Sequence, residues 1–493
     1  MRPLPEADED SGVVIVGAGF SGLCLAARLV EAGRRDFLIL EKGASVGGTW
    51  RDNRYPGCAC DIPSHLYSLS FGPRPDWSRH YPTQPELRAY LERFAAHYDL
   101  EPHLRFGTAF DHAAWDEDSA HWIVTATDGR TFAAPVLVSA IGALHVPEKP
   151  ALPGVDVFAG QVFHSAEWPE GFDAAGKDIA VIGTGASAIQ FVPRLAETAR
   201  SVTVFQRTAP WVLPKYDRVI GPVQRFLLRY VPGFRRMLRW TLYWLHEARL
   251  LAFVGKRRVA GRVRRYGEKV IARHIDDPAL RAAVTPGYDV GCKRTLLSNN
   301  YYPALARPNV TLVTSPVARV DHDAVVAADG RRFAAQAVVY GTGFKVVDSL
   351  MSLDVRGRGG VALRDMWSGG PSAYLGITVP HFPNFFLMLG PNTGLGHNSQ
   401  VFMIEAQAEH VMRALRLMER RGGETIEVVP AASSAFDADT QRRLANSVWT
   451  RGGCTSWYQD VTGRVVALWP RATFVYRRLC RRLRPDDYRI VRE

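Results

Sequence analysis

A strand, a glycine-rich turn, a helix and a second strand follow one another twice along the 493 residues with the same internal spacing. The doubled unit predicts an α/β fold with two Rossmann-like dinucleotide-binding domains. A second observation bears on its arrangement: a basic stretch with helical periodicity follows the second copy and reads as a helical insertion. The length allows two or three domains, each with a core of its own.

The first copy runs from VVIV (Val13–Val16) into GAGFSG, comprising Gly17, Ala18, Gly19, Phe20, Ser21 and Gly22. An apolar-periodic stretch continues to Ala32, and a second strand, Phe37–Leu40, ends at Glu41 and Lys42. The glycines permit a tight turn, close approach of backbone to a pyrophosphate and tight packing of helix on strand, while Glu41 is placed to accept from ribose hydroxyls. The second copy runs from IAVI (Ile179–Ile182) into GTGASA, comprising Gly183, Thr184, Gly185, Ala186, Ser187 and Ala188. A helix to about Ala199 and a strand, Ser201–Phe205, lead to Gln206 and Arg207. From the first glycine to the ribose-reading position is 24 residues in both, 17 to 41 and 183 to 207. An arginine where the first copy has an acid is what a 2′-phosphate requires. The first site is therefore expected to hold FAD or NAD, and the second NADP.

Two further strand-like runs, Val136–Leu144 and Ala337–Phe344, end in small residues, as runs that return the chain between two such domains commonly do. The expected organisation is a discontinuous FAD-binding domain, 1–147 and 345–493, with an NADP-binding domain at 148–344. The boundaries fall in Pro/Gly-rich connectors such as VPEKPALPG (Val146–Gly154). From Met366 to Ile404 there is no charged residue, but four prolines and six glycines exclude one continuous helix, so buried strands and loops are expected. The acidic, Pro-broken N-terminus does not read as a targeting segment.

The 61 Lys and Arg exceed the 49 Asp and Glu by 12. The excess is local: Arg218 to Arg273 holds fifteen Lys and Arg against two Glu, a net +13, leaving −1 elsewhere. This basic helical insertion, about 218–276, mixes Arg with Phe226, Tyr230, Phe234, Trp240, Tyr243 and Trp244 at helical spacing, broken at Pro232–Gly233. An aromatic stripe of this kind is more often buried, so packing over the active site is expected ahead of peripheral contact with a membrane. No nucleic-acid module accompanies the charge, and no nucleic-acid partner is expected. Six cysteines at irregular spacing without a CxxC read as reduced cytoplasmic thiols. Cys58 and Cys60 lack a second Cys/His pair, so no metal is expected.

Two longer motifs carry a resemblance. Residues 158–169, FAGQVFHSAEWP, and residues 47–61, GGTWRDNRYPGCACD, resemble the two fingerprints of Baeyer–Villiger monooxygenases, class B flavoprotein monooxygenases. The resemblance implies FAD and NADP as cofactors and a small-molecule ketone with O2 as substrates. NADPH reduces the flavin, a C4a-peroxyflavin forms, and its attack on the ketone gives an ester or lactone. By resemblance Arg294, in GCKRTLLSNNYY (Gly291–Tyr302), is the catalytic arginine, Asp61 the carboxylate that orients it, and Lys293 the partner of Arg207 on the 2′-phosphate. A permanently charged guanidinium suits the task, because it stabilises an anion without giving up a proton. His164 resembles the residue that couples the two domains. The resemblance also implies that Gly48, Thr49, Trp50 and Tyr67 lie near the flavin, that backbone at Phe110 and Gln400 contacts the adenine and the flavin ring, and that Trp457 stands on a loop that closes over NADP. An N- or S-oxygenating flavin enzyme, a disulfide reductase and a non-enzymatic flavin-binding membrane-surface protein are the alternatives. The HxxxW fingerprint and the Lys–Arg pair favour the ketone reaction, and the missing CxxC disfavours the reductase.

Overall fold

The structure, a computed structural model, describes residues 7–73, 76–254 and 257–491. Two five-stranded, all-parallel sheets organise it. In the first, Phe385–Leu387, Leu137–Ser139, Val14–Val16, Leu38–Glu41 and Leu104–Phe106 lie side by side in that order. In the second the order is Val310–Val313, Ser201–Phe205, Asp178–Ile182, Ala337–Tyr340 and Gln161–His164. The central strands are short Val/Ile/Leu runs buried along their whole length, the pattern of parallel strands covered on both faces. A third sheet, largely antiparallel, pairs Phe110–Asp116, His121–Ala126 and Thr131–Ala134 and takes Asp354–Arg356 onto its edge.

Each doubled unit folds alike. Gly17 and Gly183 adopt φ of +108° and +104°, and a Cβ there would stand 2.6 Å from the Ala140 carbonyl oxygen and 2.7 Å from that of Gly341. The runs that begin at Val136 and Ala337 thus pass directly under the two turns, and only glycine fits above them. The helices Phe20–Glu31 and Ala188–Thr198 follow, and the long helix Gln400–Arg420 packs on the first of them. Within 366–404 the chain forms loops and the buried strand Phe385–Leu387, between the end of the short helix Leu363–Met366 and the first turn of Gln400–Arg420. Among the described residues no helix is long and apolar enough to cross a membrane.

Two expectations are overturned. The insertion is helical, as Pro222–Tyr230, Phe234–Glu247, Leu250–Phe253 and Arg257–His274, with the break at Gly233 in the left-handed region. Its aromatic stripe, however, does not cover the active site: Phe226, Tyr230, Trp240 and Trp244 are exposed, and only Phe234 and Tyr243 are half-buried. The rotation of Phe234–Glu247 is set by its polar face. Arg239 donates to the carbonyls of His65 (2.8 Å) and Ser68 (2.9 Å). Glu247 accepts from the Thr473 N–H (2.7 Å) and hydroxyl (2.8 Å) and from Asn398 Nδ2 (2.7 Å). Buried charges need fixed partners, and these partners hold the opposite, aromatic face outward. The second correction concerns the thiols: Cys292 and Cys454 form a disulfide with their Cα atoms 6.1 Å apart, while Cys24, Cys58, Cys60 and Cys480 are free and buried. The partners are 162 residues apart in sequence, a separation that carries no spacing signal.

Candidate active site

One cavity of about 1670 Å³ receives both glycine-rich turns. Ligand pockets ordinarily hold roughly 300–1,000 Å³, so this one has room for more than a single ligand. Its first end is lined by Gly17, Gly19, Phe20, Ser21, Glu41, Lys42, Gly48, Thr49 and Trp50, with Tyr67, Phe110 and Gln400. The bare backbones of Gly19 and Gly48 approach each other closely at the cavity wall: a Cβ on Gly48 would stand 3.2 Å from the Gly19 Cα. The buried Glu41 carboxylate accepts from the Ala18 N–H (2.9 Å), the Gly43 N–H (2.8 Å) and Arg51 (2.7 Å). Trp50 Nε1 donates to the Tyr67 hydroxyl at 3.3 Å, and Tyr67 meets Phe20 edge-on with centroids 5.2 Å apart. Gln400 opens the helix Gln400–Arg420, and its Nε2 donates to the Thr393 carbonyl at 3.0 Å.

The other end is lined by Gly183, Thr184, Gly185, Ala186 and Ser187, with Gln206, Arg207 and Lys293. Arg207 is exposed at the rim, and Lys293 stands over the Tyr288 ring at 5.4 Å. Partial burial, then the nearby Arg207 charge, lowers the Lys293 pKa. Among the described residues neither cation has a carboxylate partner, so the two together make an anion site. Gln206 Nε2 donates to the Ala283 carbonyl (2.8 Å), while its buried Oε1 has no partner. Trp457, 45% exposed, lines the cavity beside Cys454.

Between the two ends Arg294 grips Asp61. Nε and Nη2 donate to the two carboxylate oxygens, each at 2.8 Å, while Nη1 points to the Leu395 carbonyl at 3.5 Å. Both side chains line the cavity and are about a quarter to a third exposed to it. Asp61 raises the Arg294 pKa further, against burial. Burial acts to raise the Asp61 pKa, but the charge and hydrogen bonds of Arg294 outweigh it and hold the carboxyl below its usual range. The loop that carries Asp61 is pinned to the second unit by Gln190, which accepts from the Tyr55 hydroxyl (3.1 Å) and donates to the Ala59 carbonyl (3.0 Å).

Three expected site residues do not reach the cavity. Gly22 and Ala188 close their turns against the sheet: a Cβ on Gly22 would lie 1.9 Å from the Gly17 carbonyl oxygen, and Ala188 is wholly buried. His164 is wholly buried at the end of its strand, with Nδ1 accepting from the Ala166 N–H (3.1 Å) and its ring edge-on to Phe344. Burial pushes its pKa down to about 4. His164 is thus not a catalytic residue in this geometry; it sits behind Gly343 and Phe344, which do line the cavity.

Residues 14–225 match the family described as Pyridine nucleotide-disulphide oxidoreductase. A Baeyer-Villiger monooxygenase of Streptomyces coelicolor is 45% identical over 493 residues, covering 100% of this chain and 95% of the relative. The chain belongs to the Baeyer–Villiger monooxygenase family. The monooxygenase also superposes on solved structures. Cyclohexanone monooxygenase from Rhodococcus sp. Phi1 bound to NADP+ aligns with a TM-score of 0.89 at 29% identity, covering 98% of this chain and 100% of the other. OTEMO in complex with FAD and NADP aligns at 0.89 and 28%, covering 98% and 99%. The monooxygenase is accordingly an FAD- and NADPH-dependent oxidoreductase. Its site includes residues that sequence reasoning missed: Arg51, which joins Glu41 to Asp52, Gln190 behind the Asp61 loop, and the Cys292–Cys454 bridge next to Lys293. Arg51 stands inside the second fingerprint, which was its one available signal; nothing local marked Gln190 or the bridge.

Proposed function

We propose that the monooxygenase converts a ketone to an ester or lactone beside Arg294, which Asp61 holds in the wall of the shared cavity; that bidentate pair is the observation that carries the reading. The residues present fit both cofactors. Gly17, Gly19, Phe20, Ser21, Glu41, Lys42, Gly48, Thr49, Trp50, Tyr67, Phe110 and Gln400 would hold FAD, with the bare backbones of Gly19 and Gly48 at the cavity wall. Gly183 to Ser187, Gln206 and the unpaired Arg207 and Lys293 would hold NADP, with Trp457 at the rim. FAD when bound supplies the redox chemistry, carrying two electrons from NADPH to O2. The balance is ketone, O2, NADPH and a proton in, and ester, NADP+ and water out.

The protein's own work is placement and charge. Arg294 offers a fixed positive charge to the oxygen that becomes negative during insertion, and with a pKa held high it cannot lose its proton. Asp61 fixes the plane of the guanidinium at the cavity wall. His164 would act by positioning, through Phe344, the connection between the two units, which we place at 1–147 with 345–493 and at 148–344. We place the enzyme in the cytoplasm, with 218–276 as the part able to touch a bilayer; among the described residues no helix is long and apolar enough to cross one.

The test is purified enzyme with NADPH and O2, offered a cyclic ketone, an aryl ketone or a thioether, with products identified by mass. Ester or lactone is expected. In Arg294→Ala, NADPH should still bleach the flavin while oxygen insertion is lost. Sulfoxide without any ester, or an Arg294→Ala enzyme that makes ester at the wild-type rate, overturns the assignment.

A further inference from the structure

The helix Phe234–Glu247 faces inside out. Its inward side carries Arg239, His246 and Glu247, and its outward side carries Met237, Trp240, Trp244 and Leu245, four residues spaced along one face. Trp240 is 63% exposed and Met237 56%. Two further helices expose aromatic side chains of their own. On the helix Pro222–Tyr230, Phe226 (58% exposed) and Tyr230 stand ring to ring, 5.1 Å between centroids. On the helix Thr473–Arg481, the exposed Phe474 meets Trp244 at 5.8 Å. Soluble surfaces scatter large apolar side chains singly; a run of aromatics across three helices requires a partner.

The chemistry of the partner follows from what surrounds the stripe. Arg225, Arg229 and Arg236 are exposed beside it, and among the described residues none has a carboxylate within ion-pair distance. Arg229 lies over the Tyr230 ring at 5.5 Å. The three helices that carry the exposed aromatics hold eight arginines against one glutamate, in a chain that is nearly neutral outside residues 218–273. The cavity cations Arg207, Lys293 and Arg294 lie outside this segment, and neither cofactor accounts for its charge. Aromatic side chains at the level of lipid headgroups with arginines beside them are what an anionic bilayer surface binds. A second copy of the chain would set these unpaired arginines against one another, which disfavours a dimer through this face.

We propose that the face formed by Phe226, Tyr230, Met237, Trp240, Trp244 and Phe474 docks the enzyme reversibly on anionic lipid bilayers, lying on them without spanning. The holoenzyme should sediment with vesicles of phosphatidylglycerol and phosphatidylcholine in equal parts and not with phosphatidylcholine alone, and added salt should release it. A Phe226→Ala, Trp240→Ala double variant should lower the bound fraction at least about tenfold, given the apolar area removed. Its flavin content and its activity on a ketone in solution should be unchanged, because both side chains lie outside the cavity. A Trp240→Phe variant should keep binding but lose part of the fluorescence quenching by brominated acyl chains. Absence of sedimentation with anionic vesicles, binding that the double variant retains, or a concentration-dependent dimer that the double variant abolishes would each overturn the proposal. The sedimentation, quenching and dimer readouts do not depend on the reaction catalysed.

Discussion

Replacing Asp61 by Asn isolates what the carboxylate does for Arg294. The exchange keeps the size of the side chain but presents one NH2 donor to a guanidinium that is itself all donor, so one of the two 2.8 Å bonds is lost and the other loses the charge on its acceptor. Removing one partner of a buried, hydrogen-bonded ion pair costs about 3–5 kcal/mol, and a hydrogen bond to a charged group contributes about 1.5–3. Because the two side chains remain a quarter to a third exposed to the cavity, about 2–3 kcal/mol is the fitting range here, equal to roughly 30- to 150-fold in rate if all of it is lost from the transition state. The assay separates two events in one sample: the rate at which NADPH bleaches the flavin, and ester formed per NADPH consumed. Bleaching should change little, ester per NADPH should fall by that factor, and Asp61→Glu should recover part of it. Because the Asp61 pKa is depressed in the folded protein, the pair is fully present above the ordinary carboxylate value near 4 and is lost only as pH falls through its lower folded value. The wild-type profile should therefore show no Asp61 limb at neutral pH. An Asp61→Asn enzyme that couples NADPH to ester as well as the wild type would refute the argument that Arg294 must be held.

Arg207→Ala should raise the KM for NADPH roughly 10- to 100-fold, the loss of one charge-assisted phosphate contact, while leaving that for NADH nearly unchanged; equal effects on both would remove Arg207 from the 2′-phosphate. The Cys292–Cys454 bridge closes a sequence separation of 162 residues, which in the chain-entropy account contributes up to about 5 kcal/mol. Dithiothreitol should accordingly lower the melting temperature of the wild type and leave a Cys292→Ser, Cys454→Ser double variant unmoved; identical responses would remove the bridge from the stability argument. His164, with its folded pKa pushed to about 4, favours the neutral ring. The unfolded chain takes up that proton from about pH 6.5 downward, so the folded state should lose up to about 3 kcal/mol between pH 6.5 and 4, and His164→Gln should flatten this limb in denaturant titrations. A variant with the wild-type slope would assign the limb to other groups.

Both nucleotide units were legible because each is local. The glycine-rich turns at Gly17 and Gly183 are written within some 25 residues of chain, the strand–turn–helix periodicity lies in consecutive residues, and the Glu41 and Arg207 difference falls at one fixed spacing. Arg294 and Asp61 were legible only through motifs, since 233 residues separate them and nothing in composition brings them together. The insertion was misjudged for a related reason. Helical spacing located its aromatic stripe, but which way a helix faces depends on what the other side meets, and Arg239 and Glu247 met the loop after Asp61 and the start of the helix Thr473–Arg481.

Two dinucleotide units, the Glu41 and Arg207 difference between them and the basic segment are written locally in the chain, because short-range backbone requirements are specific to residue type. The three-dimensional packing sets the rest: both turns share one cavity, Cys292 meets Cys454, His164 stands behind that cavity, and the aromatic stripe faces solvent. Those outcomes follow from long-range packing, in which the cost of burying a charge without its partner outweighs the preference of an aromatic ring for the interior.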